Sequence, residues 1–364
     1  MAFSSLGSIH SIFRQKSGEA PKFTGSVIML SMNGTATNVV ADNWMSVNGT
    51  GNFLIATSYG NNPKGRNYLS TDAGVTWTKM STPVGDGNNF RQAWISRDGV
   101  YRVYSINQQT GFTAAAYSSS NSGANYTSTA LSNLQGAFVS DNGNVKIISI
   151  NGGTLLRIFN TPTGNSFSTA VGSAINRGHI KGSSNGQYLL NQSGNGGMQF
   201  SNDYGATWTS LAGVTGLIGS TTTNMSDMAI SGDGKYMLIS GSGYKLWLSS
   251  NFGATWTTIT GTGGLPNTSI YTSTANTWAC VTASKTGQYM SVAGYFNQGS
   301  TFGTNGYVFI SSNYGVTWTS KLIPLPSTAA DPLFLTSSMS YNDAGVPNRI
   351  FIPTFTQGIY YINV

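Results

Sequence analysis

Apolar and polar residues alternate along most of this chain in short runs with a period of two. Met198 and Phe200, Leu246 and Leu248, and Val308 and Ile310 are three such pairs. A period of two sends successive side chains to opposite faces, so each run predicts a half-buried β-strand. No stretch in the body of the chain carries helical periodicity. Two kinds of polar break separate the runs, and they alternate. The first is a glycine-centred turn, marked by Gly49, Gly99, Gly143, Gly186, Gly234, Gly287 and Gly345. Asn-Gly and Asp-Gly between apolar runs are hairpin signals.

The second break is an eight-residue string of the form Ser-x-Asp/Asn-x-Gly-x-Thr-Trp. Four copies are close: Ser70, Asp72, Gly74 and Trp77; Ser201, Asp203, Gly205 and Trp208; Ser249, Asn251, Gly253 and Trp256; Ser311, Asn313, Gly315 and Trp318. Two weaker copies carry Asn121 and Gly123, and Gly164. The Asp or Asn caps its own turn, the Gly takes a positive φ, and the Thr and Trp start the next strand. One strand on each side of both breaks gives four strands per repeat, and the glycine turns recur every 43 to 58 residues. Four-stranded repeats of this length are propeller blades.

The seventh repeat is short and lacks a box, whereas residues 24–32 read as a strand with no blade of its own. The expectation is an all-β, seven-bladed propeller over residues 23–364, its ring closed by that N-terminal strand. Closure of this kind removes open sheet edges. Residues 1–22 form a separate polar arm, read either as a frayed tail or as a segment that docks on a neighbouring subunit.

The string resembles the Asp-box, or bacterial neuraminidase repeat, of sialidases, xyloglucan-cleaving glycosidases, sorting receptors and a photosystem assembly factor. That resemblance implies a propeller with the boxes at the blade periphery, away from the active face. The box residues are therefore expected to be structural.

Composition narrows the chemistry. The chain has one Glu, Glu19, in the arm, and ten Asp, of which six lie in boxes or glycine turns. A glycosidase needs a pair of converging carboxylates, and only Asp42, Asp86, Asp227 and Asp331 remain to supply them. His10 and His179 are the only histidines, too few for a histidine-rich metal site. No phosphate-binding or dinucleotide loop is present. The expectation is no catalytic site, no metal and no cofactor. Cys280 is the single cysteine, so no internal disulfide forms, and its strand-like surroundings read as a buried structural thiol. Eighteen Lys and Arg against eleven acids give a net charge of +7. They form no run, which argues against nucleic-acid binding. Neither a signal-peptide core nor a membrane span is seen.

In a propeller, the loops between blades and those between the second and third strands share one face. Here the long ones carry Tyr59, Lys64, Arg66, Phe90, Arg91, Tyr271, Tyr295, Phe296 and Asn297. Aromatics beside amides suit sugar stacking or protein contact, so these residues form the candidate partner or glycan face. The expected function is a non-enzymatic structural or attachment component of a virion. It would contact other virion or assembly proteins through the face or the arm. The alternatives are a lectin-like or sialidase-like glycan-binding propeller and an intracellular assembly scaffold.

Overall fold

A computed structural model describes residues 27–29, 43–50, 52–59, 66–81, 83, 89–107, 114–131, 133–150, 156–161, 164–168, 179–192, 198–211, 225–241, 245–265, 277–296, 305–324, 338–341, 347–354 and 358–363. Among these residues there are strands and turns but no helix. The strands form four-stranded antiparallel meanders spanning residues 43–79, 89–130, 134–168, 180–210, 225–258 and 277–323, here sheets 1 to 6. In a further sheet, sheet 7, Ser338–Tyr341, Pro347–Thr354 and Gly358–Asn363 are joined on the outside by Val27–Met29. Val27 pairs with Ile362 and Met29 with Tyr360. First strands of successive sheets contact one another around a common axis. The fold is an all-β propeller.

Alternation explains why the sheets stack. The inner strands of each sheet bury one residue set against the preceding sheet and the other against the next, so apolar clusters lie between sheets. Ile55 of sheet 1 packs with Phe90, Ala93 and Tyr104 of sheet 2. Leu190 and Met198 of sheet 4 pack with Met228 and Met237 of sheet 5. Val47, Leu54 and Tyr68 of sheet 1 pack with Phe351 and Ile359 of sheet 7.

The box is a local hydrogen-bonded device. Ser70 Oγ donates to Asp72 Oδ1 at 2.9 Å and accepts from Gly74 N at 2.8 Å. Asp72 then accepts from the Thr76 backbone at 2.8 Å and from its hydroxyl at 2.7 Å. Trp77 Nε1 closes the loop on Gly74 O at 3.3 Å. Thr and Trp are thereby held inside the turn, so the fourth strand starts only afterwards, at Thr78, Thr209, Thr257 and Thr319. This corrects the expectation that Thr and Trp begin the strand. Asn251 and Asn313 make the same bond to the Thr backbone and turn their Nδ2 to the Thr hydroxyl. Asn121 reproduces the backbone part in the weaker copy.

Both central turn residues have positive φ, not the glycine alone. Ala73, Ser122, Tyr204, Phe252 and Tyr314 lie between 57° and 62°. A left-handed non-glycine residue costs roughly 1–2 kcal/mol. The backbone N–H of each is tied to the glycine turn of its own sheet, for example Tyr204 N to Gln187 O at 3.1 Å and Tyr314 N to Gln288 O at 2.9 Å. That bond explains why the two markers travel together along the sequence.

Two sequence assignments change. Gly164 opens the strand Gly164–Ser168 and pairs with Thr161, so that hairpin does not have the box form. Its third position is Pro162, which offers neither a side-chain acceptor nor an N–H. Gly49 lies inside the strand Asn43–Thr50 opposite Leu54, and the hairpin turns after Thr50.

The N-terminal arm, residues 1–22, lies outside the described residues.

Candidate functional site: the axial cluster

The proposed face residues are only partly visible. Lys64, Tyr271 and Asn297 lie outside the described residues. Tyr59, Tyr295 and Phe296 are strand residues whose side chains also lie outside that description. Phe90 is a correction. It is 1% exposed, packed edge-on against Tyr104 at 6.3 Å, and belongs to the core between sheets 1 and 2. The strand begins at Asn89, one residue earlier, and its alternation turns Phe90 inward. Arg66 and Arg91 are half-buried at strand ends opposite the glycine turns.

A polar cluster that sequence reading missed lies where the first strands meet. A β-bulge interrupts the register of these strands between Phe90 and Gln92, Leu134 and Ala137, Met225 and Asp227, and Trp278 and Cys280. Serines on the second strands satisfy the displaced backbone groups. Ser105 Oγ accepts from Gln92 N at 3.0 Å, Ser149 Oγ from Gly136 N at 2.6 Å and Ser240 Oγ from Asp227 N at 3.0 Å. The bulges place Gln92 and Asp227 against the innermost strands of other sheets. Gln92 Oε1 accepts from Ala137 N at 3.1 Å and Ile180 N at 3.4 Å, and its Nε2 donates to Ile180 O at 3.3 Å. One carboxamide thus joins sheets 2, 3 and 4. Asp227 Oδ2 accepts from Val281 N at 3.0 Å, joining sheets 5 and 6. First strands are edge strands, and these side chains occupy backbone groups that would otherwise lie unpaired at the axis.

Ionisable groups gather beside them. Lys181 is buried, with Nζ 5.1 Å from the centroid of the Trp94 ring. Burial pushes its amine down to about 8, while Asp227 and Cys280 oppose the drop. His179 precedes the same strand, and burial lowers its imidazole to about 4, helped by the positive charges of Lys181 and Arg91. Cys280 is buried, as its strand-like surroundings predict.

Toward the glycine-turn end, the axis opens into a cavity of about 50 Å³. Trp94, Phe138, Ile230, Val281 and Met339 supply apolar wall, and Lys181, Thr282, Ser184 and Asp141 supply polar groups. The rim is tied together by the turns themselves. Asp141 N donates to Ser184 O at 2.7 Å, Ser184 N to Gly232 O at 2.9 Å and Asp233 N to Lys285 O at 3.2 Å. Among the described residues no group of three or more His, Cys, Asp or Glu is arranged to hold a metal ion.

The comparisons bear on the fold. No family model matches the chain, and no curated protein matches it in sequence. Solved structures do match in shape. A structure of YCF48 bound to D1 peptide superposes with a TM-score of 0.59 at 15% identity, covering 93% of this chain and 95% of that one. YCF48 from Cyanidioschyzon merolae gives 0.58 at 11% identity, covering 93% and 98%. The Cps50 (Swd1) β-propeller domain of Myceliophteria thermophila gives 0.60 at 12% identity, covering 90% and 98%. This chain is a β-propeller of the same general shape along nearly its whole length.

Proposed function

We propose that this chain is a seven-bladed Asp-box propeller, its ring closed by Val27–Met29, that works without catalysis as a protein-contacting module. Its setting in this reading is a virion, as a capsid-surface, spike or tail component. The observation that carries the reading is the commitment of five of the six described carboxylates. Asp72 and Asp203 cap boxes, Asp98 and Asp233 cap glycine turns, and Asp227 is spent on Val281 N. A hydrolase needs two carboxyl groups facing one substrate bond, and these five are each tied to a separate backbone N–H. The closed ring is supported by the Val27–Ile362 pairing and by the core that sheet 1 shares with Phe351. Protein contact is supported by a neighbour of the same shape that is described with a bound peptide.

The test is proximity cross-linking of the tagged full chain in its native source, followed by mass spectrometry and particle sedimentation. Stoichiometric cross-links to capsid or tail proteins in the particle fraction are expected. Turnover of a fluorogenic glycoside panel, or exclusion from particles, overturns the reading.

Glycan binding is the second reading, and one observation favours it. The rings of Tyr204, Phe252 and Tyr314 are 40–42% exposed at equivalent box positions of three successive sheets. Exposed aromatic faces stack on sugars. A glycan array decides, with Tyr204→Ala and Phe252→Ala as controls.

A further inference from the structure

The boxes of sheets 4, 5 and 6 differ from those of sheets 1 and 2 at their fourth residue. It is Tyr204, Phe252 or Tyr314 in the former, and Ala73 or Ser122 in the latter. All five sit at left-handed φ, between 57° and 62°. A bulky residue is unfavourable there, and Ala73 shows that the turn closes without a ring. Nor are the rings core residues, since 40–42% of each residue is exposed. Phe252 and Tyr314 lie on Tyr188 and Tyr236, with centroids 5.2 and 5.0 Å apart and planes inclined by 33° and 29°. One face of each outer ring is thereby backed by a second ring, which holds the other face ready for a ligand. Behind Tyr204 the corresponding residue of sheet 3 is Val145, so ring-on-ring packing does not account for that tyrosine.

The polarity of the hydrogen bonds changes between boxes as well. In sheets 1 and 4 the Thr76 and Thr207 hydroxyls donate to Asp72 Oδ2 and Asp203 Oδ2, at 2.7 and 2.6 Å, and spend their single hydrogen there. In sheets 5 and 6 the Asn251 and Asn313 Nδ2 groups donate instead to Thr255 Oγ1 and Thr317 Oγ1, both at 2.8 Å. These two exposed hydroxyls accept from the box and keep a hydrogen for a ligand oxygen. Each backed ring therefore shares its turn with a hydroxyl donor. Charge is balanced around them. The boxes and glycine turns of sheets 4 to 6 carry Asp203 and Asp233 against Lys235 and Lys285. Lys235 Nζ is held 5.4 Å from the centroid of the Tyr236 ring.

We infer that the boxes of sheets 4 to 6 form a set of subsites for a neutral polysaccharide. Its pyranose rings lay their C–H faces on Tyr204, Phe252 and Tyr314, and its hydroxyl oxygens accept from Thr255 and Thr317. The inference deepens the glycan-binding reading and rests on it. Equivalent subsites on one fold hold a polymer by avidity, so a long chain binds far better than a disaccharide. The balanced charge gives an anionic polymer no advantage.

Biolayer interferometry of the full chain on immobilised mixed-linkage β-glucan, galactomannan and polygalacturonate, in about 0.15 M salt to screen the net positive charge, tests this. Retention on a neutral polymer is expected, with cellobiose competing at least about tenfold more weakly than the soluble polymer. The triple variant Tyr204→Ala, Phe252→Ala and Tyr314→Ala should bind at least about tenfold more weakly. Ala73 already occupies this position at the same φ, so the variant keeps its turns. Asn251→Asp with Asn313→Asp installs the cap of sheets 1 and 4 and draws the threonine hydrogens inward. It should leave the melting temperature in place and weaken retention by about threefold.

Stronger retention on polygalacturonate, equal competition by cellobiose, or unchanged retention in the triple variant overturns the inference and leaves glycan binding elsewhere on the chain intact. Retention on none of the three polymers overturns it too, and the glycan array then decides whether the glycan-binding reading falls with it.

Discussion

The ring of Tyr188 in sheet 4 fills the space where Gly234 of sheet 5 would carry a side chain. A Cβ built on Gly234 falls 2.2 Å from Tyr188 Cδ2. The relation repeats around the axis. Phe53 lies on Gly99, Tyr101 on Gly143 and Tyr236 on Gly287. The same Tyr188 and Tyr236 rings also face the box aromatics Phe252 and Tyr314 of the next sheet, at centroid distances of 5.2 and 5.0 Å. A turn glycine is therefore demanded twice, by its φ of +81° in Gly234 and by its neighbour's ring.

Gly234→Ala should lower stability by about 2–4 kcal/mol, combining left-handed strain with a displaced ring. Gly234→Ala in a Tyr188→Ala background removes the clash and retains the strain, so the two changes should be less than additive. Urea denaturation of the four proteins in this cycle measures the coupling.

Asp203→Asn should change stability at neutral pH by no more than about 0.5 kcal/mol, because Asn251 and Asn313 fill the same role. Asp203→Ala should cost about 1 kcal/mol, as for a lost cap. Burial raises the Asp203 carboxyl, but hydrogen bonds from the Thr207 side chain and backbone, from Ser201 and from the Ala206 backbone together bring it below its ordinary value. A lowered folded value means that the carboxylate contributes stability above the unfolded value, which is lost as pH falls through the folded one. Asp203→Asn should flatten that part of the acid limb in thermal melts, which begins below the ordinary carboxylate value of about 4.

Two buried bases act in the opposite sense to a salt-bridged one. The folded values of His179 and Lys181 are lowered, so the unfolded chain binds more protons between the folded and unfolded values. Stability should therefore rise with pH from about 4 to about 6.5 through His179, and again from about 8 to about 10.4 through Lys181. His179→Gln and Lys181→Met should each remove its own rise. Tyr104 limits the upper window, because burial raises its phenol above the ordinary value and stability falls once unfolded tyrosines ionise near about pH 10. Chemical denaturation across pH measures all three.

Phe351→Ala should cost about 3–5 kcal/mol, as for other fully buried aromatics. Its ring lies under Gly74 and edge-on to Trp77 at 6.0 Å, so the loss falls on the contact between sheets 7 and 1. Hydrogen exchange should show faster exchange in Val27–Met29 and Leu54–Ala56 than in sheet 4. Uniform acceleration across all sheets would contradict a local seam.

What the sequence revealed was what is built locally. The box closes within eight residues through its own Ser, Asp and Thr, and the turn glycines follow from the φ they must adopt. Both were legible for that reason. The axial cluster was not, because Gln92, Lys181 and Asp227 lie on strands of three different sheets and meet only when the sheets assemble. The bulges were hidden as well. A bulge is a mismatch between two strands, and Ser105, Ser149 and Ser240 look in sequence like ordinary solvent-facing positions. Phe90 was misassigned because its strand starts at Asn89, inside what reads as a polar linker, and the alternation then turns its ring into the core. Only the distances between sheets connect the remaining candidate residues to chemistry, and a sequence contains none of them.

The pairing of Val27–Met29 with Gly358–Asn363 has a consequence for how the protein is made. Val27–Met29 is made long before its partner, with all of sheets 1 to 6 between them. Sheets 1 to 6 each draw their strands from one continuous stretch of chain and can collapse as they appear, but sheet 7 must wait until Gly358–Asn363 has been made. A prematurely terminated chain would expose the edges on both sides of the gap. The pairing therefore makes sheet 7 the last to form: its strands stay open to aggregation and proteolysis until both segments are present.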